Sequence, residues 1–249
     1  FFSSLFSFPH VSDDTGLQEI LHLAKSRATP FSSIPPSILK DHCDIFSKKI
    51  HIDFNTSIKN GIYPNNLKYA DVSPIFKAGD KLDKSNYRPI SILPAVSKIF
   101  ERLYCNQIEE YIEPLLSMYQ CGFRKNFSAQ NCILLLIEKW KRCLDEKGAC
   151  GVLLTDLSKA FDCLRHDLLI AKLNAYGFDR ASLKLILNFL SNRFQRVRVN
   201  SHYSSWFEIL FGVPQGSIMG PMIFNIDMAD LFLLSIEAII SNFADDNSP

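Results

Sequence analysis

Residues 151–156, GVLLTD, form an apolar run that ends abruptly on a carboxylate, Asp156, with an aromatic, Phe161, five positions further on. A run of this length bounded by small residues reads as a strand buried on both faces. Burying a carboxylate at the end of such a strand is costly unless a cation or a hydrogen-bond donor meets it. A second apolar run, residues 238–240, leads into residues 241–246, SNFADD, another strand ending on acid, here doubled at Asp245 and Asp246. Two strand ends with convergent carboxylates are what a two-metal site for moving phosphoryl groups requires, since ions about 3.5–4 Å apart need shared anionic bridges.

Little in the composition competes with this. The chain of 249 residues is long enough for one large or two small domains, and 47% hydrophobic with 21% charged residues is ordinary globular usage. A net charge of +1 means that any basic surface must be local. Seven cysteines without a Cys-x-x-Cys pair fit a reduced, intracellular protein better than a disulfide scaffold or a zinc module. No apolar stretch approaches the ~20 residues of a membrane span, and no leader opens the chain. Because it opens on Phe1 and stops three residues past the acidic pair, the sequence reads as a fragment.

Residues 17–25 and 37–58 are spaced as amphipathic helices, the second opened by Pro35 and Pro36 and closed at Asn60 and Gly61. Residues 69–77 alternate like a strand, 78–81 read as a turn, and 86–94 are extended because Arg88 precedes a proline. Lys77 and Arg88 then flank one sheet edge and offer two cations to a polyphosphate. Composition alone favours solvated surface residues. Residues 95–112 form an amphipathic helix ended by Pro114. In residues 120–128, two aromatics interleave with Arg124 and Lys125, a pattern suited to a nucleic-acid strand and almost equally to a charged loop. Ser128 caps a helix over 129–146 whose centre, 134–137, is apolar all round and therefore expected in the core.

Helices follow at 163–176 and 181–190. Residues 192–200 alternate like a strand, with Arg196 and Arg198 on one face, and pair with 204–211 across 200–203. A solvated face is the default for these arginines and a nucleic-acid backbone the second choice. Residues 212–221 carry three glycines and two prolines, with Pro221 opening a helix to about Leu234. No Lys-Ser/Thr follows those glycines, so they do not make a Walker loop. Asp162 sits where a helix N-cap would, and Cys163 with His166 lacks the other two ligands of a metal site.

The motifs RPISIL, QCGFRK, LTDLSKAFD, GVPQGS and FADD, in this order, resemble the successive blocks of reverse transcriptases, and in wording the non-LTR (LINE-like, jockey-like) retrotransposons of animals. The resemblance covers roughly residues 60 to 249. It implies an α+β, right-hand polymerase fold: an N-terminal helical segment or linker over 1–60, fingers over 61–148, and a truncated, ferredoxin-like palm with an antiparallel sheet over 149–249, the thumb being absent. It also implies RNA-directed synthesis of DNA from dNTPs on an RNA template, with a DNA primer or nicked target DNA, inside the nucleus and cytoplasm and away from membranes.

On the matching positions, Asp156 and Asp245 would ligate two Mg²⁺ ions (Mn²⁺ is an alternative), with Asp246 the supporting acid. Phe161 would exclude a ribose 2′-hydroxyl, Gln215 and Gly216 would lie against the nucleotide and template base, and Lys77 and Arg88 would hold the triphosphate. The fragment is expected to be inactive alone. The alternatives are a relic domain that only binds nucleic acid, and another palm polymerase such as an RNA-templated RNA polymerase or an intron maturase. Phe161 argues against the RNA polymerase.

Overall fold

The structure, a computed structural model, describes residues 5–23, 29–30, 33–151, 157 and 159–233. The expected strands over 150–156 and 238–243, with Asp156, Asp245 and Asp246, lie outside the described residues apart from 150 and 151.

One five-stranded sheet organises the described chain. Strands β1 (Tyr69–Phe76) and β2 (Tyr87–Ile92) form an antiparallel hairpin in which Ile75 faces Arg88 and Asp71 faces Ile92. On its other edge β1 takes β3 (Arg193–Val199) in parallel, with Tyr69 beside Phe194 and Asp71 beside Arg196. Strands β4 (His202–Tyr203) and β5 (Phe207–Ile209) both return antiparallel to β3. The hairpin turns more tightly than expected, at Asn200 and Ser201, with Asn200 in the left-handed region (φ 53°). The described sheet is therefore mixed rather than antiparallel, because β3 returns beside β1 from far along the chain and runs the same way. It joins strands from both sides of the 148/149 division.

Eight helices, most of them packed on one another, complete the described chain: α1 (Asp13–His22), α2 (Pro36–Asp41), α3 (Cys43–Asn60), α4 (Ala95–Ile112), α5 (Ala129–Asp145), α6 (His166–Ala175), α7 (Arg180–Leu190) and α8 (Met219–Met228). The stripe on α4 works as its spacing demands, since Ile99, Phe100, Leu103, Tyr104 and Ile108 are all buried. Phe54 of α3 lies against Phe100 and Tyr104, and Tyr63 against Phe189 of α7, at ring-centroid distances of 4.5–5.4 Å. Each such side chain contributes about 1.5–3 kcal/mol by leaving water. Gly61 closes α3 in the left-handed conformation (φ 62°), as the Asn-Gly pair implied.

Several helix expectations need correction. The helix expected over 37–58 is two helices. His42 leaves helical torsions (φ −125°, ψ 36°), ending α2 through its N–H and starting α3 through its carbonyl. The centre of α5 is not in the core, for Ile133 and Leu134 are more than half exposed and no other described element packs extensively on this helix. Helix α6 starts at His166 rather than 163, because residues 159–163 form a turn with Lys159 at φ 55°. Helix α8 starts two residues before Pro221, where Ser217 Oγ takes the Gly220 N–H and the Glu101 carboxylate takes two more amides. Among the described residues no helix is long and apolar enough to cross a membrane, and all seven cysteines are free.

Candidate functional site

The glycine loop and the turn after the first acidic run are stitched together backbone to backbone. Gly212 N–H donates to Leu164 O at 2.7 Å, Val213 N–H donates to Phe161 O at 2.9 Å, and His166 Nε2 meets Gly212 O at 2.8 Å. Gly212 lies at φ 76°, and a Cβ there would fall 2.4 Å from Phe161 O. Only glycine permits both the torsion and the approach.

The same loop reaches strand β2. Ser91 N–H donates to Gln215 O at 2.7 Å, and a Cβ on Gly216 (φ 107°) would sit 3.0 Å from Ser91 O. Gln215 Nε2 also donates to both Asp162 oxygens, at 3.1 and 3.2 Å. Asp162 is thus not a helix N-cap, since α6 begins after Arg165, and it holds Gln215 instead. Gln215 and Gly216 thus lie against the strand that carries Arg88, and the same loop holds the turn that carries Phe161. Three residues of strand separate Arg88 from Ser91, about 10 Å.

Phe161 is half-buried and braced by two rings: Phe224 of α8 at 5.2 Å and Phe123 at 5.9 Å, the latter edge-on. Phe123 stands in the loop of residues 120–127 at φ 55°. Gln120 Nε2 donates to Asn225 O at 2.7 Å and Asn225 Nδ2 to Gly122 O at 2.9 Å, which ties that loop to α8. Sequence reasoning missed Phe123 as the support of Phe161.

It also missed Glu101. This fully buried carboxylate on α4 accepts from the Ile218 and Met219 amides at 2.6 and 3.3 Å and from Ser97 Oγ at 2.9 Å. It anchors the far end of the glycine loop, and an anion at a helix N-terminus is favourably placed. Burial raises the pKa of Glu101. The opposing pulls are the charge of Arg193 and the hydrogen bonds from Ser97, Ile218 and Met219. Arg193 is buried too. It donates to Phe189 O at 2.9 Å and leaves Nε and one amino nitrogen unpartnered. Beside it, burial and the Arg193 charge lower Lys68 to about 8. A glutamate inside the apolar stripe of α4, between Phe100 and Leu103, was the available signal for this network.

The remaining expected site residues fall in distinct settings. Lys77 is exposed just past the end of β1, its N–H donating to Asn86 O at 2.8 Å, and Arg88 is half-buried on β2. Arg124 is buried in protein contacts, with Glu113 at 2.8 Å, the Ser117 and Gln120 carbonyls at 2.6 and 2.8 Å, and the Phe127 ring at 4.1 Å. Lys125 is exposed and pairs with Glu109 at 2.7 Å. Arg196 Nε donates to buried Asp71 at 2.7 Å, while Arg198 lies 5.9 Å from the Tyr203 ring. Among the described residues no three His, Cys, Asp or Glu side chains cluster to hold a metal.

Residues 75–247 match the reverse transcriptase (RNA-dependent DNA polymerase) family. The chain is 30% identical over 203 residues to a probable RNA-directed DNA polymerase from transposon BS of Drosophila melanogaster, covering 78% of this chain and 22% of that protein. Identity to the RNA-directed DNA polymerase from mobile element jockey of Drosophila funebris is also 30%, over the same shares of the two chains. A putative COX1/OXI3 intron 1 protein of Saccharomyces cerevisiae is 28% identical over 58% of this chain and 16% of its own length. The chain thus spans about a fifth of the length of these curated relatives. It belongs to the reverse transcriptase family, as a jockey-like domain of the kind carried by non-LTR retrotransposons.

Proposed function

We propose that the chain carries out RNA-directed DNA synthesis, transferring a deoxynucleotide from a dNTP onto a primer 3′-hydroxyl opposite an RNA template. What supports this reading is that one glycine loop, through Gln215 and Gly216, ties the turn that carries Phe161 to the strand that bears Arg88. In this reading residues 61–148 serve as fingers and 149–249 as palm of a right-hand polymerase.

Phe161 occupies the space beneath the sugar, where a ring edge excludes a 2′-oxygen sterically. Its bracing by Phe123 and Phe224 makes that exclusion firm. Gly216, without a side chain, lets the loop backbone lie flat against the nascent base pair, and Gln215 is held for it by Asp162. Arg88 and Lys77 bind the triphosphate, the first as a planar fork and the second as a point charge. Asp156 and Asp245, with Asp246 beside them, form an all-carboxylate donor set, the hard oxygen ligands that Mg²⁺ takes. When bound, two such ions activate the hydroxyl nucleophile and neutralise the leaving pyrophosphate. RNA template, DNA primer or nicked target, and dNTPs are the partners.

Primer extension on an RNA template by the full element protein carrying this domain tests the proposal. Asp156→Asn and Asp245→Asn should each lower incorporation by orders of magnitude while leaving the fold intact by circular dichroism. Near-wild-type incorporation by either variant overturns the assignment. Nucleic-acid binding without incorporation in the unmodified protein would leave a relic domain.

A further inference from the structure

One face of the sheet carries a row of rings and guanidinium groups that the active-site reading does not use. Side chains alternate along strands, so the registers place Tyr69, Phe194, Arg196, Arg198 and Tyr203 on one face, and the next residue but two after Tyr203, Trp206, folds onto it. Tyr69 stacks on Phe194 at 5.5 Å and 16°, and meets Trp206 edge-on at 5.1 Å. The Arg196 guanidinium lies 4.0 Å from the Tyr203 ring centroid and 4.6 Å from that of Trp206.

Arg196 is not free to wander, because buried Asp71 grips its Nε at 2.7 Å. Even so, Tyr69, Tyr203 and Trp206 are 41, 39 and 41% exposed. Rings that served only to fasten the hairpin would be covered by it.

We propose that this face is a stacking platform for the bases of an unpaired nucleic-acid strand. The choice of nucleic acid rests on the polymerase reading, and the chemistry of the face selects the mode. Asp71 pairs with Arg196, and Glu208, opposite Phe194 and four residues along β3 from Arg198, puts a second carboxylate on the same face. The face is close to neutral, so phosphates contribute little and ring faces provide the attraction. Every base offers a π-face, and each stacked base is worth about 1–3 kcal/mol. A protein partner would require aliphatic surface, whereas Val197 and Val199 alternate onto the opposite face. The platform is continuous with the active site. Arg88, opposite Ile75, lies on the same sheet face, four residues along β1 from Asp71 and so about 13 Å away. An unpaired strand lying on these rings therefore leads toward the nucleotide site.

The chain has two tryptophans, Trp140 and Trp206, so a Trp140→Phe background leaves one emitter on the platform. Titration of that protein with a twelve-residue oligouridylate should quench Trp206 fluorescence. An abasic phosphodiester of equal length, and a duplex of that length, should not. Tyr203→Ser should weaken oligouridylate binding, followed by anisotropy, about tenfold, and raising the salt from 0.1 to 0.3 M should change it less than that. If Trp206→Ala does not fold, Tyr203→Ser on the exposed hairpin carries the test. Equal quenching by the abasic strand, unchanged affinity in Tyr203→Ser, or no binding overturns the platform. So does self-association in sedimentation that Trp206→Ala abolishes, because a second copy would then own the face. Failure here with Asp156-dependent incorporation intact removes only the platform. Loss of that dependence removes the polymerase reading instead.

Discussion

Gln215 donates from one side-chain nitrogen to both oxygens of Asp162, across 53 residues of sequence. The amide is thereby oriented by a carboxylate that itself points at solvent, beside the turn that carries Phe161. Loss of the carboxylate should leave the fold within about 1 kcal/mol of the original, as is usual for exposed sites. We predict that Asp162→Ala raises the KM for dNTP several-fold while the Tm stays nearly constant. An unchanged KM would mean that the contact has no part in placing the nucleotide.

Gly212→Ala should be severely destabilising. The new Cβ would fall 2.4 Å from Phe161 O at a positive φ, and neither backbone can yield without breaking the Val213–Phe161 hydrogen bond. A loss of about 2 kcal/mol or more is expected in urea unfolding, from torsional strain and the clash together.

Phe123→Ala removes one of the two rings bracing Phe161. The expected consequence is relaxed sugar discrimination, with ribonucleotide incorporation rising several-fold relative to deoxynucleotide. Primer extension with each triphosphate in parallel measures it. Equal discrimination in variant and parent would show that Phe224 suffices.

Glu101→Ala strips two amides and a hydroxyl of their acceptor at a buried site. A cost of about 1–3 kcal/mol for each donor left buried and unmet is expected. The pH response separates charge from shape. The folded-state pKa of Glu101 lies above its unfolded value, so the folded chain holds the proton longer, and stability falls as pH rises through that window. Glu101→Gln should flatten this fall, which denaturant midpoints between pH 4 and 7 would reveal.

Lys68 has the opposite profile. Its folded pKa is lowered to about 8, whereas the unfolded chain keeps the proton to about 10.4. Across that interval the unfolded state binds more protons, so stability should rise with pH. Lys68→Met should abolish the rise and be more stable than the parent at pH 7, where the parent buries a charge. Its Asn188 partner keeps a second donor, the Tyr63 N–H at 2.8 Å.

The sequence was most legible where local rules act alone. Alternation located β1 and β3 to within a residue, the proline after Arg88 marked the extended stretch that holds β2, the α4 stripe gave bounds of 95–112 that the structure repeats, and Gly61 and Ser128 cap as their types imply. It was least legible where a distant partner decides. Nothing near Asp71 announces Arg196, nothing in FDC tells that Asp162 will hold Gln215 rather than cap a helix, and the run over 134–137 looks like core although its neighbours leave it half exposed. In the proposed site, the resemblance singles out Phe161, Gln215 and Gly216, whose segments the structure ties together through the glycine loop. Glu101 belongs to no block of the motif set, Phe123 stands in the QCGFRK block with nothing there to announce Phe161 as its neighbour, and both roles arise only from packing.

The parallel seam between β1 and β3 joins positions 125 residues apart, as the Asp71–Arg196 pair shows. During synthesis the β1–β2 hairpin therefore emerges with one backbone edge open, and that edge waits for more than a hundred further residues to leave the ribosome. An uncovered strand edge invites other chains, and closure of so long a loop is slow. Expression yield should accordingly hinge on chaperones or low temperature during this interval, and a chain halted before residue 193 should aggregate through β1.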